Sequence, residues 1–195
     1  MRCLFALLPE SQKDSKKKTR LRPLLEAMTK ILRRIQHRTN WDPRGEFSRY
    51  LQPGQAPADT LQDLATSENT LSIWQVQDSD SNLDRILAAI ASPRENLQKL
   101  DYLIVDWQHV EELSLHMEKA AGDTHDKYAN ENWHFHLTRL SASDVANLAN
   151  KMFAHGQTVR KKEKDLVLLL KRSIAQGFVD KEKLLPNVLA KVAKQ

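Results

Sequence analysis

The chain has a single cysteine, Cys3, in 195 residues, which excludes an internal disulfide framework and a cysteine-based zinc site. Cys3 also sits too near the N-terminus to look like a positioned nucleophile. Glycine is scarce: five residues, none clustered. Loops that cradle phosphate need grouped glycines so that backbone amides can approach the ligand, so neither a P-loop nor a dinucleotide-binding turn is expected. No Gly-x-Ser-x-Gly elbow is present to carry a serine nucleophile. No stretch reaches the roughly 18 consecutive apolar residues of a membrane span, so no membrane association is expected. The apolar stretch Cys3 to Leu8 is shorter than a secretory core and is ended by Pro9-Glu10, so it reads as a short buried strand or a docking segment in a cytoplasmic protein. No cofactor is called for.

At 41% hydrophobic residues, the chain can bury a core of its own. Its charge is strongly segregated. Residues 1–50 hold 13 Lys/Arg against 5 Asp/Glu, residues 51–150 hold 6 against 16, and residues 151–195 hold 11 against 4. An acidic middle is thus flanked by two basic ends. Either the ends share a surface that attracts phosphate, or they fold back on the acidic middle, within one chain or across a dimer.

Residues 9–19 are polar throughout and read as a linker. Leu24, Leu25, Met28, Ile31, Leu32 and Ile35 recur at spacings of three and four, which predicts an amphipathic helix over 22–37 with Arg33, Arg34 and Arg38 mostly off the stripe. Residues 40–69 look irregular, with helical turns at 46–51 and 58–64. Leu71 to Val76 has the β-branched and aromatic content of a strand. Leu83, Ile86, Leu87 and Ile90 form a helical stripe, and Ser92-Pro93-Arg94-Glu95 reads as a capping box that opens a second short helix. Tyr102 to Val105 is an apolar run typical of a buried strand. Strand, helix, strand predicts a crossover onto a parallel pair. Residues 108–120 read as a helix, and Trp133 to Leu137 alternates like a half-buried strand. Ser141 to Asp144 caps a helix that Gly156 ends; residues 159–176 and 187–194 complete a basic helical tail.

The expected architecture is mixed α+β, a small three- or four-stranded, partly parallel sheet with packed helices and a helical C-terminal extension. A basic segment over 1–39 precedes an α/β core over 40–156, and the extension over 157–195 belongs to the same domain.

Three groups of residues could carry chemistry. Arg160, Lys161, Lys162 and Lys164 read as the start of a helix, where the macrodipole opposes cations; with Lys171 and Arg172 they form a basic stripe suited to phosphate. Arg33, Arg34 and Arg38 are the matching cations of the other end, and Trp41, in a turn beside Arg38 and Arg44, is a candidate for stacking on a base. Trp74, Trp107 and Trp133 fall in or beside strands and read as core. Finally, His134 and His136 lie two apart on one strand and so face the same side. They could hold a divalent metal if Asp101, Asp106, Glu111 or Glu112 supplied a third ligand.

Three functions fit these patterns. The first is a non-catalytic subunit that contacts DNA or RNA within a larger nucleic-acid-processing or defence assembly. The second is a protein–protein module, an inhibitor or immunity type of partner, that uses the acidic stretch 101–131 or associates with itself. The third is a metal-dependent hydrolase built on His134 and His136.

Overall fold

The computed structural model describes residues 29–77 and 80–194. Their centre is a six-stranded sheet: β1 (Lys30–Ile35), β2 (Leu71–Val76), β3 (Lys99–Asp106), β4 (His116–Lys119), β5 (His134–Thr138) and β6 (Gln157–Lys162). The order is β4-β5-β2-β1-β3-β6, and every neighbouring pair is antiparallel. Six helices pack on it: α1 (Leu83–Ala91), α2 (Trp107–Glu111), α3 (Lys127–Trp133), α4 (Ala142–His155), α5 (Glu163–Ala175) and α6 (Pro186–Lys194).

The sheet separates two cores. On one face, Leu32, Trp74, Val76, Leu100 and Tyr102 meet α1, α3, α5 and α6 through Leu87, Trp133, Leu166, Leu170 and Val188. On the other, Ile31, Ile35, Ile73, Leu103 and Phe135 meet α2 and α4 through Val110, Leu148 and Met152, along with Trp41 and Leu64. β1, β2 and β3 bury apolar side chains on both faces, and each large one stabilises the sheet by roughly 1.5–3 kcal/mol.

The small, partly parallel sheet expected from sequence is therefore wrong, and β1 is the reason. β2 and β3 do run in the same direction and are joined through α1, but β1 lies between them and pairs antiparallel with both. Residues 30–35 read as helix because Arg33 falls on a buried face and breaks the apolar alternation of a strand. The structure accommodates it: Nε and Nη2 donate to the Asp63 carbonyl at 3.1 and 3.0 Å, and Nη1 donates to the Ser72 carbonyl at 2.9 Å. The earlier part of that expected helix, the linker over 9–19 and the strand over Cys3 to Leu8 lie outside the described residues.

Three further expectations are corrected. Residues 157–162 form an edge strand, and α5 starts only at Glu163. Residues 116–119 form β4 rather than the end of a helix. Ser92 opens no helix: its hydroxyl donates back to the Ala89 carbonyl at 2.8 Å and closes α1. By contrast, α4 begins and ends where its residues predict. Ser141 and Asp144 make the reciprocal capping box. At Gly156 a Cβ would run into the Met152 carbonyl and the Leu103 side chain.

Candidate nucleic-acid interface

β1 and β6 both run antiparallel to β3, so their C-terminal ends arrive together beside its N-terminal end. Ile35, Asp101 and Arg160 form one row across the three strands, and Lys99 faces Lys162 one step beyond. The two basic ends of the sequence thus converge on a single end of the sheet.

Asp101 sits at the middle of this row and is buried to 3% exposure. Arg160 grips it with two parallel hydrogen bonds, Nε to Oδ1 at 2.7 Å and Nη2 to Oδ2 at 2.8 Å. Lys99 Nζ stands 4.0 Å from the same carboxylate. Burial pushes the Asp101 carboxyl up, but the Arg160 hydrogen bonds and charge, with Lys99 and Arg38, outweigh it and hold it below its usual range. Arg94 approaches from the loop before β3. Burial, then the charge of Arg34, lowers its proton affinity, and Asp101 acts the other way. It remains a cation, as arginines do. Its Nη1 is buried and makes no hydrogen bond.

Six cations therefore gather at this end of the sheet: Lys99, Arg160 and Lys162 are on the face of the buried Asp101 carboxylate, Arg38 and Arg94 interact with that carboxylate, and Arg34, opposite Tyr102, is on the other face, where its charge reaches Arg94. Arg34, Arg38 and Lys162 are exposed, and their side chains make no ion pair or hydrogen bond among the described residues. Lys162 contributes only its backbone amide, donated to Asp165 at 3.2 Å as a cap for α5. The arrangement can hold a polyanion, since guanidinium and ammonium groups at a solvent-facing rim exchange water for phosphate oxygens.

Of the ten candidate nucleic-acid contacts, four fall in this cluster: Arg34, Arg38, Arg160 and Lys162. Arg33 does not, because its guanidinium is tied to the Asp63 and Ser72 carbonyls. Nor does Trp41. It is 2% exposed and its Nε1 donates to Asp63 Oδ2 at 2.9 Å, so its ring belongs to the core. Lys161 pairs with Leu100 and, like Arg34, projects from the face of the sheet opposite Asp101. Lys164, Lys171 and Arg172 lie along α5, and Arg172 opens onto a cavity near its far end. Sequence reasoning missed Arg94 and Lys99, which sit inside the acidic middle and join the cluster only through the pairing of β3.

His134 and His136 do share a side of β5, with ring centroids 5.2 Å apart. His134 is buried against Trp74 at 4.8 Å, with Nδ1 3.3 Å from the Ala120 carbonyl. Burial lowers its proton affinity. Of the expected third ligands, Asp101 and Asp106 lie on β3 beyond two intervening strands, about 14 Å away at the ordinary strand spacing, and Glu112 pairs with Lys151. Among the described residues, no group of three or more His, Cys, Asp or Glu is placed to hold a metal ion.

The acidic stretch 101–131 is dispersed over the molecule. Asp101 pairs with Arg160, Asp126 with Arg85, Glu112 with Lys151 and Glu118 with His116. Among the described residues, no helix is long and apolar enough to cross a membrane. Comparison with known proteins finds no relative: no protein family matches the chain, and neither a curated protein nor a solved structure is similar to it.

Proposed function

We propose that this chain is a non-catalytic nucleic-acid-contacting subunit that grips the phosphate backbone with the β1–β3–β6 end of its sheet. The convergence at one end of the sheet, beside the Asp101 carboxylate, of four cations from the two basic ends and two from the acidic middle carries this reading. Contacts of this kind position a duplex or strand without reading its sequence, because phosphates are the same at every base. The biological setting that goes with it is a cytoplasmic nucleic-acid-processing or defence assembly, in which other subunits supply the chemistry.

The test is fluorescence anisotropy with labelled DNA and RNA at low salt, comparing the wild-type chain with the variant Arg34→Glu, Arg38→Glu, Lys99→Glu, Lys162→Glu. Wild-type binding that the variant loses supports the proposal. A wild-type chain that binds neither polymer at low salt, or a folded variant that binds equally well, refutes it.

A further inference from the structure

Trp41 is in the core, but the segment that carries it holds another ring in the open. Tyr50 ends the short helical turn Glu46–Tyr50 and is 80% exposed, more than any other large apolar side chain among the described residues. Single apolar side chains on a surface are ordinary. The surroundings of this one set it apart in three ways.

The first is place. β1 ends at Ile35, at the sheet end where the cations gather, and Arg38, one of them, opens the next helical turn. Hydrogen bonds fold the following residues back onto that turn. The Asp42 amide donates to the Thr39 carbonyl at 3.3 Å, and the Asp42 carbonyl accepts from the Gly45 amide at 2.9 Å and the Ser48 hydroxyl at 2.8 Å. The Ser48 amide donates to the Gly45 carbonyl at 3.1 Å. Ser48 is two residues before Tyr50, so the ring stands on the same lobe as Arg38.

The second is charge. The lobe from Arg38 to Tyr50 carries Arg38, Arg44 and Arg49 against Asp42 and Glu46. The exposed Arg44 side chain makes no ion pair or hydrogen bond among the described residues, and only its backbone amide is used, donated to Asp42 Oδ1 at 2.9 Å. Arg49 reaches Glu46 only at 4.0 Å, with both side chains more than half exposed, so water screens the pair. The third is the ring's own freedom. The Arg49 guanidinium carbon is 5.8 Å from the ring centroid, near the outer limit of a cation–π contact, and it leaves the ring in water.

An open aromatic ring among cations, at the margin of a phosphate-binding surface, suits a single strand. The cations follow the backbone and the ring takes the face of an unpaired base. In a duplex each base face already lies against its neighbours, so the ring finds nothing to stack on. We infer that Tyr50 stacks on an unpaired base and makes this chain prefer single-stranded nucleic acid to duplex. The inference rests on the phosphate contacts of the sheet end and adds to them the class of polymer.

Fluorescence anisotropy tests it, with a labelled DNA or RNA strand, whichever the wild type binds more tightly, and the duplex of the same sequence. The wild type should bind the single strand about tenfold more tightly than the duplex, the scale of one stacked base. Tyr50→Ala should remove that advantage and leave duplex affinity unchanged, and Tyr50→Trp should keep it. Tyr50→Ala should also leave the salt dependence as it was, because the ring carries no charge. The side chain is exposed, so an unchanged urea midpoint shows that the variant is folded. The inference is overturned if the wild type binds both forms equally, or if Tyr50→Ala leaves single-strand affinity unchanged or weakens both forms alike. Salt-sensitive binding in those cases leaves the sheet-end contacts standing, whereas a wild type that binds neither form overturns both.

Discussion

Two arginines in this molecule hold an aspartate in the same way and serve different ends. Arg85 donates from Nε and Nη2 to Asp126 at 2.6 and 2.9 Å, and Arg160 donates from the same two atoms to Asp101 at 2.7 and 2.8 Å. Both carboxylates are buried to 2% exposure or less at their side chains. The surroundings differ. Arg85 lies over the rings of Phe178, Tyr128 and Trp133, and Asp126 also caps α3 by accepting from the Ala129 amide at 2.9 Å. Charge and carboxylate balance there, and aromatic faces take up the remaining cationic field. Near Asp101 stand Arg38, Arg94, Lys99 and Lys162, with Arg34 on the other face of the same sheet end, so the pair leaves a surplus of positive charge at the surface. A bidentate pair marks a structural site or a binding rim according to what stands around it.

Substitutions should separate the two. Asp126→Ala should have the largest effect on folding, about 3–5 kcal/mol in urea denaturation, because it strands the buried Arg85 charge and uncaps α3. The four-fold charge reversal at the sheet end should do the opposite: stability within about 1 kcal/mol of wild type, but nucleic-acid affinity down about a hundredfold or more at low salt.

Smaller effects sharpen the contrast. Trp41→Phe should lower stability by about 1–2 kcal/mol, since Asp63 loses a buried donor, and leave nucleic-acid affinity unchanged. A tenfold loss of affinity would instead restore Trp41 as a stacking residue. Asp101→Asn should lower stability least, by about 1 kcal/mol near neutral pH, because Arg160 is partly exposed. It should also strengthen nucleic-acid binding a few-fold. The folded-state proton affinity of Asp101 is depressed, so its contribution is complete above the unfolded carboxylate value of about 3.9 and fades as pH falls below it. Wild type and Asp101→Asn should therefore converge in stability under acid, as read by urea midpoints from pH 6 down to about pH 2.5.

How far the sequence could be read depends on where a polar residue lands. α4 was legible because Ser141, Asp144 and Gly156 each act locally, within one turn of its ends. β2 and the body of β5 were legible because their own composition is strand-like. β1 was not, since Arg33 on an inner face is tolerated only through carbonyls 30 and 39 residues away. β6 was hidden because Val159 is its only apolar residue, and its Arg160 is neutralised by Asp101 across the sheet. β4 offers only Met117 to the core. Missing those three strands turned a six-stranded antiparallel sheet into a smaller mixed one.

The candidate site divides along the same line. The cations of the two ends were legible as charge, but which of them meet depends on strand register. Register brought in Lys99 from the acidic middle, with Arg94 in the loop just before it, and put Arg34 and Lys161 on the face away from Asp101.

The central claim is that phosphate contacts at the β1–β3–β6 end supply the binding energy, and the salt dependence of affinity tests it most directly. The logarithm of the binding constant for a duplex should fall linearly with the logarithm of salt concentration, with a slope of about −4.5 if some five cations engage phosphates. Each of Arg34, Arg38, Lys99 and Lys162 changed to alanine should make that slope shallower by about one. A slope near zero, or one that all four alanine variants leave unchanged, would contradict the account.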